Sequence, residues 1–219
     1  MGRLKLIICV LLLSSMPAAV PAMAAEEPSA RARALEGLDS DKPGTRREGY
    51  AALGTVGIDV DLPLLYVALY DSDRVVRGIA QNSIWRIWSR SGDEAVDRRY
   101  AVAIEQMEAG KLQAAVRTLT RIIEIKPEFT EAWNKRATVY FMLGEDDKSI
   151  ADCDQVLTRN PYHFGALAGY GQLMLRKSEP RRALEYFERA LAVNPNMTGV
   201  AASIDLLNEV LARKRRNSI

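Results

Sequence analysis

Three prolines, Pro127, Pro161 and Pro195, stand at equal intervals of 34 residues. A fixed period of that length marks a chain built from stacked units, none of which can bury its apolar face alone. It therefore constrains the fold more than any local propensity does. Gly110 and Gly144 are separated by the same interval, with Ser178 in the next slot. Each unit thus has a turn residue inside it and a proline at its end. Proline cannot continue a helix, so it stops the second helix of each unit. The stretch "EPRRALEYFERALAVNP" (179–195) places Ala183, Leu184, Phe187, Ala190 and Leu191 on one helical stripe. Arg181, Glu185 and Glu188 fall on the opposite face. The expectation is an all-α chain of paired amphipathic helices.

The same register carries further positions. Trp133, Ala137 and Tyr140 follow an aromatic, small, tyrosine order, and Leu167, Gly171 and Met174 stand one period later. In the second half of each unit, Ala115 and Leu119, Ser149 and Cys153, and Ala183 and Phe187 repeat a small-x3-large pattern. Small residues are needed where paired helices cross closely, and larger ones fill the groove between them. This pattern resembles the tetratricopeptide repeat, W-x2-L-G-x2-Y…A-x3-F…P, in a protein of the bacterial secreted type. The resemblance covers residues 96–197 as three repeats, 96–129, 130–163 and 164–197. It implies a right-handed helical-repeat solenoid of three helix pairs. Residues 198–219 then read as a capping helix and basic tail, with Leu206, Leu207, Val210 and Leu211 as the apolar face of the cap.

Residues 26–95 are less regular. "LDSD" (38–41) and "YDSD" (70–73) precede "TRREGYAAL" (45–53) and "RVVRGIAQNSI" (74–84). Aspartates before an Arg-bearing helix with a small-residue core resemble HEAT-like repeats, in which the aspartates would cap the second helix of each pair. The other reading is a set of amphipathic helices packed on the first tetratricopeptide unit as a cap. Trp85 and Trp88, three apart on one helical face, read as core.

The N-terminus carries a leader pattern. Arg3 and Lys5 precede the apolar run "LIICVLLL" (6–13), and Ala22-Met23-Ala24 supplies a small-residue cleavage site. Residues 1–25 are therefore read as a signal peptide, and the protein as exported to the periplasm. Secretion, or anchoring in the inner membrane by an uncleaved leader, remain the alternatives. Loss of Arg3 and Lys5 would leave equal numbers of basic and acidic residues, from 30 and 28 in the full chain. That balance argues against nucleic acid as a partner. It would also leave Cys153 as the one cysteine, so that packing alone holds the mature chain.

Catalytic motifs are missing: no G-x-S-x-G, H-E-x-x-H or Walker sequence occurs. His163 is the sole histidine, which removes most general-base and metal schemes. "NPYHFGALAGYG" (160–171) reads as the junction between two repeats, with His163 in the turn and Gly165, Gly169 and Gly171 on the next helix. Gly165 and Gly169 would lie on its exposed or groove side. Cys153 occupies a buried slot, and the acidic run Glu145–Asp147 suits a helix start. The expected function is a non-catalytic scaffold without cofactor, metal or small-molecule substrate, binding a peptide or helix of an envelope protein. Homo-oligomerisation, or a structural envelope role, is the rival reading. The first helices of the repeats would line the binding groove. Equivalent positions there are Tyr100, Asn134 and Ala168, then Ile104, Thr138 and Gln172. Phe141 and Arg176 follow one turn further on.

Overall fold

Backbone geometry at the turns explains where the helices stop. Gly110 and Gly144 adopt left-handed φ values of 69° and 75°, and Ser178 adopts 62° in the equivalent place. Glycine has no β-carbon to clash there; serine carries the strain. The structure is a computed structural model and describes residues 28–216, apart from the side chains of Lys214 and Arg215. The leader read over residues 1–25 lies outside the described residues.

Among the described residues there are eleven α-helices, one short 3-10 turn and no strand. The N-terminal part comprises α1 (Ala30–Glu36), α2 (Pro43–Val56), the 3-10 turn Asp59–Asp61, α3 (Leu62–Ala68) and α4 (Arg74–Trp88). Three antiparallel pairs follow: α5 (Glu94–Glu108) with α6 (Leu112–Ile125), α7 (Thr130–Leu143) with α8 (Asp146–Arg159), and α9 (Phe164–Arg176) with α10 (Pro180–Val193). The last helix, α11 (Thr198–Arg216), packs on α10. No described helix is long and apolar enough to cross a membrane.

The pairs pack as the small-residue register requires. Ala115, Ala137 and Ala183 are buried, and a β-carbon on Gly171 would come within 2.5 Å of the Phe187 ring. Ser149, in the small slot of α8, donates its hydroxyl to the Ala137 carbonyl at 2.7 Å, so its polar group is satisfied inside the core. Arg136 joins three helices. Its guanidinium grips Asp152 of α8 at 2.7 and 2.8 Å and donates to Thr120 of α6 at 3.0 Å.

Two details of the sequence reading change. Asp73 caps α4 by accepting from the Val75 and Val76 amides at 2.9 Å, but α2 starts at Pro43 with no side-chain cap. The extra Lys42-Pro43-Gly44 segment displaces Asp41 from that role. On α11, Leu207 and Leu211 are buried, whereas Leu206 is 62% exposed and Val210 39%. The end cap is narrower than its stripe of three leucines and one valine.

The largest correction concerns the N-terminal helices. They do not simply cap the first pair. Their core includes Phe164 of α9, with Val193 at the end of α10 and Met197 in the following turn packed against that core. Hydrogen bonds fix the same contact: Arg77 Nε to Asn196 Oδ1 at 2.8 Å, Asn196 Nδ2 to the Leu69 carbonyl at 2.8 Å, and Asn194 Nδ2 to Gln81 Oε1 at 2.7 Å. The Tyr70 hydroxyl also donates to the Ala192 carbonyl. The chain folds back so that α4 and the turn before it meet the end of the third helix pair.

Candidate functional site

The first helices α7 and α9 lie side by side and leave a crevice between them. Asn134, Ala137, Thr138 and Phe141 of α7 form one wall, and Gly165, Ala166, Gly169 and Gln172 of α9 the other. Ser149 and Cys153 of α8 form its floor. The volume is only about 80 Å³, room for a few water-sized groups. Gly169 keeps the crevice open, since a β-carbon there would meet nothing within 4 Å. Cys153 is buried, and burial pushes its thiol up to about 12, which keeps it protonated and unreactive at neutral pH.

Four of the eight expected groove residues, Asn134, Thr138, Phe141 and Gln172, meet in this crevice. The others do not. Tyr100 is 7% exposed and packs edge-on against Phe129, ring centroids 5.3 Å apart. Ile104 joins the core of the first pair, and Ala168 that of the third. Arg176 stands at the far end of α9, where it donates to the Phe141 carbonyl at 2.9 Å and to Asp146 at 2.7 Å. Its guanidinium lies 3.6 Å from the Phe141 ring centre. Asn134, 6% exposed, is held by Glu131 at 3.0 Å. These two polar groups are therefore engaged within the chain.

A second centre sits where the N-terminal helices meet the repeat turns. His163 is wholly buried, although the sequence reading makes it an ordinary turn residue. Its Nδ1 accepts the Ala166 amide at 3.0 Å and so carries no proton; Nε2–H donates to Glu131 at 2.9 Å. The ring stacks on Trp88, 4.0 Å between centroids and 14° from parallel. Glu131 is itself 1% exposed. Burial pushes its carboxyl upward, but the His163 hydrogen bond, the Lys135 charge and the Asn134 amide outweigh this and hold it below the ordinary carboxylate value.

Trp85 fills the opposite side. A β-carbon on Gly165 would come within 2.5 Å of its ring, and the Lys135 ammonium lies 5.2 Å from the ring centre. Gly165 thus admits Trp85 at the end of the crevice it lines, and the indole closes that end.

Beside this centre opens a cavity of about 730 Å³. Its walls come from the 3-10 turn and α3, the end of α4, and the turns around residues 126–131 and 159–163. Sequence reasoning missed it because Trp88 and His163 are far apart in the chain. The available signal was the period: Gly165 stands where the preceding repeat has Glu131, and that change from carboxylate to bare backbone marks an altered surface.

Comparison with known proteins agrees with the helical geometry. Residues 100–164 match the tetratricopeptide repeat family. A TPR repeat-containing protein of Rhizobium etli is 32% identical over 134 residues, which cover 61% of this chain and 66% of that protein. Anaphase-promoting complex subunit 7 of Dictyostelium discoideum is 29% identical over 76 residues, 35% of this chain and 13% of the subunit. The chain thus spans about two thirds of the first relative's length and a small part of the second's. Among solved structures, the Sgt2 TPR domain of Aspergillus fumigatus superimposes with a TM-score of 0.54 at 16% identity, over 58% of this chain and 85% of that one. The first TPR domain of Spaghetti (RPAP3), solved with the HSP90 peptide SRMEEVD, gives 0.51 at 20% identity, over 53% and 93%. These likenesses establish the repeat fold.

Proposed function

We propose that this tetratricopeptide-repeat protein is a non-catalytic scaffold of the cell envelope, which holds an extended segment of a partner protein against the crevice between α7 and α9. The observation that carries the reading is Gly169, mid-helix, bare and facing an opening rather than a neighbour. A glycine at the centre of a helix lowers its stability and gives nothing back in packing unless something approaches the backbone. Exposed Gln172 offers hydrogen bonds beside it, and the Thr138 hydroxyl, which donates to the Asn134 carbonyl at 3.0 Å, can accept one more. Exposed Met142 and Leu175 offer apolar contact further along. A peptide backbone with alternating apolar side chains suits such a surface.

The Spaghetti domain holds its HSP90 peptide on a related scaffold, but fold alone does not transfer a ligand. Here the polar groups differ in availability: Asn134 and Arg176 are already bonded within the chain. Binding therefore rests on backbone approach at Gly169. The envelope location rests on the leader pattern of residues 1–25. The HEAT-like reading of the N-terminal helices belongs to the same proposal. Two helix pairs, α1 with α2 and α3 with α4, are joined by Arg46 on Asp71 and Arg47 on Asp73 across the pairs.

The test is a Gly169→Leu variant. A β-carbon there meets nothing within 4 Å, and leucine suits a helix interior while projecting bulk into the crevice. Wild-type protein recovered from its own envelope fraction, with its N-terminus at Ala25 or Glu26, is expected to bring down a partner polypeptide that the variant releases. Identical polypeptides on both, or none on the wild type, would overturn the proposal.

A further inference from the structure

We infer, on the reading of the crevice between α7 and α9 as a peptide site, that it is a pocket for one aliphatic side chain of the partner, of valine to methionine size, closed to aromatic and charged ones. The core of the second helix pair is underfilled there. The repeat register aligns Leu119, Cys153 and Phe187 as the large member of each pair, and all three are buried. Phe187 fills its slot: a β-carbon on Gly171 would come within 2.5 Å of its ring. Cys153 has the shortest side chain of the three. Its small partner in the register, Ala137, is no larger than Ala103 of the first pair, so nothing makes up the difference. Ala137 and Cys153 both line the crevice.

Size sets one limit on the occupant. The crevice holds about 80 Å³. A cavity of about 150 Å³ is needed to accept a benzene ring, so an aromatic side chain is too large. A branched aliphatic chain or a thioether matches the gap. Gly169, on the wall opposite Cys153, leaves the way in open, since its β-carbon position has nothing within 4 Å. A backbone that passes over this glycine can lower one side chain to the Cys153 floor.

Polarity sets the other limit. Among the described residues, none that lines the crevice is charged. An ion seated there would lose its water and find no counter-charge. The polar groups of the walls are engaged within the chain. The Ser149 hydroxyl donates to the Ala137 carbonyl, the Thr138 hydroxyl to the Asn134 carbonyl, and the Asn134 amide to Glu131. The Cys153 thiol keeps its proton, because burial raises it to about 12, and it packs as a small hydrophobe. Water held over such a floor is weakly bonded, and an aliphatic group that displaces it gains affinity. Gln172 stays exposed beside the pocket for the peptide backbone.

The experiment selects random peptides displayed on phage against the full chain and keeps those that Gly169→Leu no longer binds. They are expected to share Val, Ile, Leu or Met at one aligned position. Replacing that residue by alanine, phenylalanine or aspartate in the synthetic peptide should weaken binding about tenfold or more by calorimetry. Cys153→Leu supplies from within the group that the peptide supplies from outside. It should keep a native circular dichroism spectrum and a urea midpoint no lower than wild type. It should bind the aliphatic peptide about tenfold or more weakly, and the alanine peptide as well as wild type does. Cys153→Val carries the same comparison if leucine unsettles the fold. Crevice-dependent peptides without a shared aliphatic residue would overturn the inference and leave the peptide site standing. So would an unchanged preference in a natively folded Cys153 variant, or lower midpoints for both variants, which would show the slot already full. No crevice-dependent peptide at all would overturn the pocket and the peptide site together.

Discussion

Three glycines on one helix show how far residue-scale reading reaches. Gly171 was legible: its place in the period requires a small side chain, and the Phe187 ring fills the space a β-carbon would take. Gly169 was legible too: the exposed or groove side of the helix, where the register puts it, is the side that lines the crevice. Gly165 was half legible: it reaches the crevice as expected, but the Trp85 ring that fills the space of its β-carbon comes from a segment whose position no local pattern encodes. The two substitutions Gly169→Ala and Gly171→Ala should therefore have opposite signs. The first gains about 0.5–1 kcal/mol, since alanine suits the helix and meets nothing. The second loses about 1–3 kcal/mol, because the ring must move in a filled core. Urea midpoints of the two variants check this; equal signs would contradict the packing around α9.

At the scale of elements, helix ends were written in the sequence and helix partners were not. Glycines and prolines fix where the repeats turn, but the arginines that join α2 to the segment before α4 leave no local trace of their partners. Arg46 grips Asp71 with two hydrogen bonds of 2.8 Å. That bond, working against burial, holds the Asp71 carboxyl below its ordinary value, with help from the Asp73 amide. Asp61 is lowered in the same manner by Arg31. A carboxyl whose folded value is depressed stabilises the fold fully above its unfolded value, near about 4, and loses that effect as pH falls through the folded value. The urea midpoint should thus decline as pH is lowered past about 4. Arg46→Met, which frees Asp71, should make that decline shallower. Parallel curves for the two proteins would show that the pair does not link folding to protons.

The whole molecule was the least legible level. The period gives the stack of helices, yet the return of the N-terminal helices onto residues 192–197 depends on Tyr70, Arg77 and Gln81 meeting a turn over a hundred residues away. Because Phe164 belongs to the core of those helices, the two parts share buried surface. They should unfold together. Tryptophan fluorescence, which reports Trp85 and Trp88 at the junction, and far-ultraviolet circular dichroism should give coincident urea transitions. Two separated transitions would mean that the junction is weaker than its contacts indicate.

That return contact has a mechanical consequence. In an ordinary helical array each unit touches only its neighbours, and the array stretches and recoils like a spring. Here the strip is buckled: one end continues by peptide bonds from α4 into α5, and the other is fastened by Asn194 and Asn196 to the same N-terminal helices. A buckled strip has a set radius. Its pitch cannot adjust to a visitor without undoing the fastening, so the visitor must match the curvature it finds.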